Sequence, residues 1–212
     1  FGVAFGNLLQ GVPSQFDEYL RVTYTGSFFA LLNPFAILCG LVSLLMLVTQ
    51  GGAWLLLKTE GNLFAKVRKA TMVSGVLTAV LFALAGVWLA YGIDGYVITS
   101  EFDGNSAMTP LMKTAEVQAG AWLANYSVFP ALILAPIVGI GGMLLAGLMG
   151  AAGRGGMAFL LSSLGIAGII MTAGGSMFPF LMPSSTFPSM SLTMWDATSS
   201  ETTMMIMFVV AC

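Results

Sequence analysis

The sequence predicts an all-α integral membrane protein, with four complete spans and two partial ones. Three observations carry this reading. Of 212 residues, 58% are hydrophobic and only 8% charged, against about 25% charged in a soluble domain. Four apolar stretches reach the roughly 20 residues needed to cross a bilayer. The charges lie almost wholly between those stretches. Such a chain could not cover a water-facing surface. A cytosolic enzyme, a nucleic-acid binder and a disordered tail are excluded.

In chain order, residues 1–12 read as the tail of one span. The first complete span is expected over 28–57. As one helix it would be about 45 Å long, more than the roughly 30 Å hydrocarbon core. It must tilt, kink near Asn33-Pro34, or project. Further spans are expected over 71–93, 128–150 and 156–182, and residues 204–212 read as the head of another. Before that last stretch, Thr198-Ser-Ser-Glu201 has the spacing of a capping box. The chain starts without Met, inside an apolar segment, and shows no signal-peptide pattern. The expectation is a single membrane domain over 1–212, an internal fragment of a longer protein.

The charges also suggest an orientation. Lys58, Lys66, Arg68 and Lys69 crowd the 58–70 loop against Glu60 alone. Arg21, Lys113 and Arg154 are the single cations of loops 13–27, 94–127 and 151–155, and loop 183–203 has none. The positive-inside rule then puts 58–70 and 151–155 in the cytoplasm. Loops 13–27, 94–127 and 183–203 fall on the outer side. Loop 94–127 carries Phe102, Leu111, Met112 and Trp122, so it is expected to pack on the outer face. Its Asn125-Tyr-Ser sequon carries no weight.

The chain has no histidine. A His general base, a His zinc ligand and a proximal haem His are therefore excluded. Cys39 and Cys212 form neither a disulfide framework nor a metal site, and Cys39 reads as a small hydrophobe. Gly75/Ala79/Ala83, Gly142/Ala146/Gly150 and Gly168/Thr172/Ser176 recur every four residues. Such stripes let helices pack closely in lipid. The 15 methionines read as packing as well. No charge lies deep in a span, which argues against a transport site.

Polar residues near the spans are Asn33, Thr49, Gln50, Thr172 and Ser176, each able to satisfy itself on a neighbouring helix. Asn33 and Gln50 are also candidates for contact with a proton or a quinone. Asp94 lies at a span mouth, between Ile93 and Gly95, and reads equally as a solvated turn acid. Trp195 fits an interfacial belt, and Asp196 a cap or turn. These five are the candidate cofactor-binding residues. No catalytic residue, metal ligand, P-loop, dinucleotide fingerprint or nucleophile elbow is found. The residues alone reach a helical membrane subunit, the partner of a chain that carries the cofactors.

Specific strings go further. They include Phe5-Gly-Asn-Leu-Leu-Gln-Gly-Val-Pro13, Glu18-Tyr-Leu20, Leu31-Leu-Asn-Pro-Phe35, Thr49-Gln-Gly51 and Lys58-Thr59. Phe82-Ala-Leu-Ala-Gly-Val-Trp88 and Tyr91-Gly-Ile-Asp-Gly-Tyr-Val97 follow. Met177-Phe-Pro-Phe-Leu-Met-Pro-Ser-Ser185 and Ser191-Leu-Thr-Met-Trp-Asp-Ala-Thr-Ser-Ser200 complete the set. In this order they resemble subunit II of cytochrome bd-type ubiquinol oxidases along the whole chain. The resemblance implies a nine-helix subunit of two four-helix bundles and one extra helix, with this chain running from the end of the fourth helix to the start of the ninth. It implies that subunit I holds haem b, haem d and the quinol-oxidising loop. It also implies that ubiquinol is oxidised at the outer face of the bacterial inner membrane, and that oxygen is reduced to water. Subunit II would stabilise the heterodimer and shape oxygen and proton access, and a small accessory subunit can join. The family's proton-path acid lies in an N-terminal part that this chain does not include, so no catalytic residue is carried over. The alternatives are the cyanide-insensitive branch of the family and a secondary transporter.

Overall fold

The computed structural model describes residues 1–100 and 113–211. Phe102, Leu111, Met112 and Cys212 lie outside the described residues. In chain order the elements are helix α1 (Gly2–Gln10), hairpin β1 (Ser14–Phe16) and β2 (Val22–Tyr24), then α2 (Pro34–Lys58) and α3 (Gly61–Gly92). Strands β3 (Gly95–Ile98) and β4 (Ala115–Gln118) follow, then α4 (Ala124–Val128), α5 (Leu134–Ala151) and α6 (Gly155–Met177). Strands β5 (Phe180–Met182) and β6 (Leu192–Thr193), α7 (Met194–Ala197) and α8 (Glu201–Ala211) complete it. Four helices are long and apolar enough to cross a membrane: α2, α3, α5 with the 3₁₀ turn from Pro130, and α6. The protein is an all-α, multi-pass membrane protein.

The helix limits follow local chemistry and differ from the expected spans. The first span starts at Pro34 rather than residue 28. Asn33 is extended, as a residue before proline tends to be. Its Oδ1 accepts from Ala36 N at 2.8 Å, and Pro34 fills the first helical position. The expected 58–70 loop is a two-residue turn, Thr59-Glu60, after which α3 begins at Gly61 (φ +65°). Residues 62–70 contain no helix breaker, and Val67 is buried. The basic segment is therefore helical, and α3 runs about 48 Å, beyond the hydrocarbon core. The fourth span stops at Met177 rather than 182 because Phe178 precedes a proline and leaves the helical region. Residues 180–182 then pair with Leu192–Thr193. The capping box is not Thr198–Glu201 but Thr193–Asp196, around α7. Thr198 closes α7 with extended backbone, and Ser200 Oγ accepts from Thr203 N at 3.4 Å as α8 starts.

Glycine contacts bind the bundle. A methyl group on Gly142 would lie 2.8 Å from Gly165 Cα, and one on Gly168 would lie 2.5 Å from Gly139 N. These pairs seat α5 on α6. Gly75 meets Gly147 in the same way at 2.9 Å, joining α3 to α5. The small-residue stripes are thus the close-approach faces that association in lipid requires. α2 packs on α3, α5 and α6, and α1 lies against α2.

The turns sort to two ends. The β1–β2, β3–β4 and β5–β6 hairpins gather at one. Val12 bridges to Ser184 there, and Trp122 Nε1 donates to Leu9 O at 3.0 Å. The α2–α3 and α5–α6 turns share the other end, where Gly153 lies beside Phe64.

Candidate functional site

The hairpin end encloses a buried charged pair. Lys113, just ahead of β4, points its ammonium at Asp196 of α7, with Nζ 2.5 Å from Oδ2. The two side chains are 2% and 0% exposed. Oδ2 also accepts from Thr193 N at 2.8 Å and Thr193 Oγ1 at 2.6 Å. Asp196 Oδ1 is buried without a hydrogen-bond partner among the described residues. Asp196 is thus both the counter-ion of Lys113 and half of the capping box that starts α7.

Serine hydrogen bonds join the strands of the same end. Ser184 Oγ donates to Ser14 O at 2.5 Å, and Ser184 N donates to Ser191 Oγ at 2.9 Å. Ser189 Oγ accepts from Ala115 N at 3.3 Å. These bonds tie β1, β4 and the β5–β6 segment together. Beside them lies an aromatic cluster, with Tyr96 centred 5.7 Å from Trp122 and 5.9 Å from Phe180. Burial pushes the Tyr96 phenol above its usual pKa. Its hydroxyl fills the space over Gly11, where a methyl group would come within 2.1 Å.

Within the bundle the polar side chains pair between helices. Gln50 Nε2 donates to Ser163 Oγ at 2.8 Å, and its Oε1 accepts from Ser162 Oγ, joining α2 to α6. Thr49 Oγ1 donates to Ser74 Oγ at 2.9 Å, joining α2 to α3. Asn33 Nδ2 donates to Asn7 Oδ1 at 3.0 Å, joining α2 to α1. An apolar cavity of about 740 Å³ opens between five helices, lined among others by Phe5, Cys39, Met46, Phe82, Ile140 and Ile169.

The five sequence candidates do not converge. Asn33 caps α2 and Gln50 bridges two helices. Asp94 is exposed ahead of β3. Trp195 stacks edge-on against Phe178 at 6.0 Å. Asp196 is buried next to Trp195 in sequence. Sequence reasoning missed Lys113, Ser162 and Ser163. Lys113 is 83 positions from its partner, and no local pattern joins them.

A family model described as cytochrome bd terminal oxidase subunit II matches residues 1–212, the whole chain. The chain belongs to the cytochrome bd terminal oxidase subunit II family. It is 52% identical over 210 residues to "cytochrome bd-I ubiquinol oxidase subunit 2" of Escherichia coli K12, covering 99% of this chain and 55% of that protein. It is 51% identical over 211 residues to "probable cytochrome oxidase subunit 2" of Haemophilus influenzae, covering 100% of this chain and 56% of that protein. The chain thus spans about half the length of the curated relatives it matches. A cytochrome bd family brings haem at the level of the complex. This subunit II chain has no histidine. No group of three or more Cys, Asp or Glu gathers among its described residues to hold a metal ion. Its described residues do not fit a histidine-ligated haem.

Proposed function

We propose that the chain is the part of a cytochrome bd subunit II that ligates no haem, within a respiratory quinol:oxygen oxidoreductase. The complex takes electrons from ubiquinol and reduces oxygen to water. The observation that carries this reading is the end-to-end family match, at 52% identity to a bd-I subunit. That identity ranks the reading above the cyanide-insensitive branch and above a secondary transporter.

Haem b and haem d belong to the partner, subunit I, and supply the electron transfer and oxygen chemistry. A small accessory subunit can join them. This chain's residues act on structure and access. Gly139, Gly142, Gly165 and Gly168 hold the bundle, and Lys113–Asp196 locks its hairpin end. The apolar cavity offers dissolved oxygen a low-polarity space within the subunit. Residues 1–212 form one membrane domain in the bacterial inner membrane. The end carrying Lys58, Lys66, Lys69 and Arg154 faces the cytoplasm, and the hairpin end faces the periplasm. No residue of this chain is assigned a catalytic role.

The test is to purify the full-length protein with its co-expressed partner. Reduced-minus-oxidised bands of haem b and haem d, with ubiquinol-dependent oxygen uptake, are the expected result. Their absence from an intact complex sinks the reading.

A further inference from the structure

No further inference is drawn: the strongest candidate, the apolar cavity of about 740 Å³ between α1, α2, α3, α5 and α6, belongs to the site already described, and nothing in the structure shows what covers its walls.

Discussion

Lys113 and Asp196 face each other at 2.5 Å inside the hairpin end, although 83 positions separate them. Water is excluded from both side chains. Removing one partner of such a pair leaves an uncompensated buried charge, at about 3–5 kcal/mol. Lys113→Met should therefore lower the thermal midpoint of the purified full-length protein strongly. Adding Asp196→Asn should recover part of the loss, because the amide oxygen can still accept from Thr193 N without a charge. A double variant no more stable than Lys113→Met alone would show that the ion pair is not the source of the loss.

Gln50 supplies a second test, since its amide spans α2 and α6. Inter-helix hydrogen bonds in membranes contribute about 0.6–2 kcal/mol. Gln50→Ala should lose about that much in unfolding from detergent. Gln50→Glu would place a charge against Ser162 and Ser163 and should lose more. If Gln50 only braces the bundle, then under the proposed function the KM for ubiquinol of the full-length protein assembled with its partner stays at the wild-type value. A changed KM in a stable Gln50→Ala complex would move this residue to the quinol path.

Much of the fold was legible because lipid imposes strong rules. Every spanning helix announces itself by length and hydropathy, whereas Asn33-Pro34, read from the sequence as a kink inside a span from residue 28, is the cap at which α2 starts. The basic 58–70 stretch misled because charge suggests a loop, yet charged residues are good helix formers once a helix projects beyond the core. At the hairpin end the sequence is nearly mute. Asp196 was legible as a capping residue, but its ion pair needs strand β4 carried to it. Ser162 and Ser163 look like ordinary packing serines until α2 brings Gln50 against them.

The glycine seam makes a paired prediction. Gly142→Leu would drive a side chain into the Gly165 backbone, which a methyl group already approaches at 2.8 Å. The neighbouring Gly141 has nothing within 4 Å of such a methyl group. Gly142→Leu should therefore abolish recovery of monodisperse protein on size exclusion. Gly141→Ala should leave it at the wild-type level or slightly above, because alanine favours helix over glycine. Equal behaviour of the two would refute a close-packed α5–α6 contact.

Tyr96 gives a pH prediction with a defined sign. Desolvation raises its pKa above the ordinary value of 10 in the folded protein. The folded state therefore holds the phenolic proton more tightly than the unfolded state. The associated stability is complete below pH 10 and is lost as pH rises through the folded pKa. The aromatic cluster of Tyr96, Trp122 and Phe180 should accordingly loosen in alkali. Trp122 fluorescence should report this, since its indole N–H is held by Leu9 O. Tyr96→Phe removes the titrating group while keeping the ring. It should shift the alkaline transition upward and remove one late-titrating phenol from the absorbance near 295 nm. An unchanged transition in Tyr96→Phe would mean that another group governs the alkaline stability of this end.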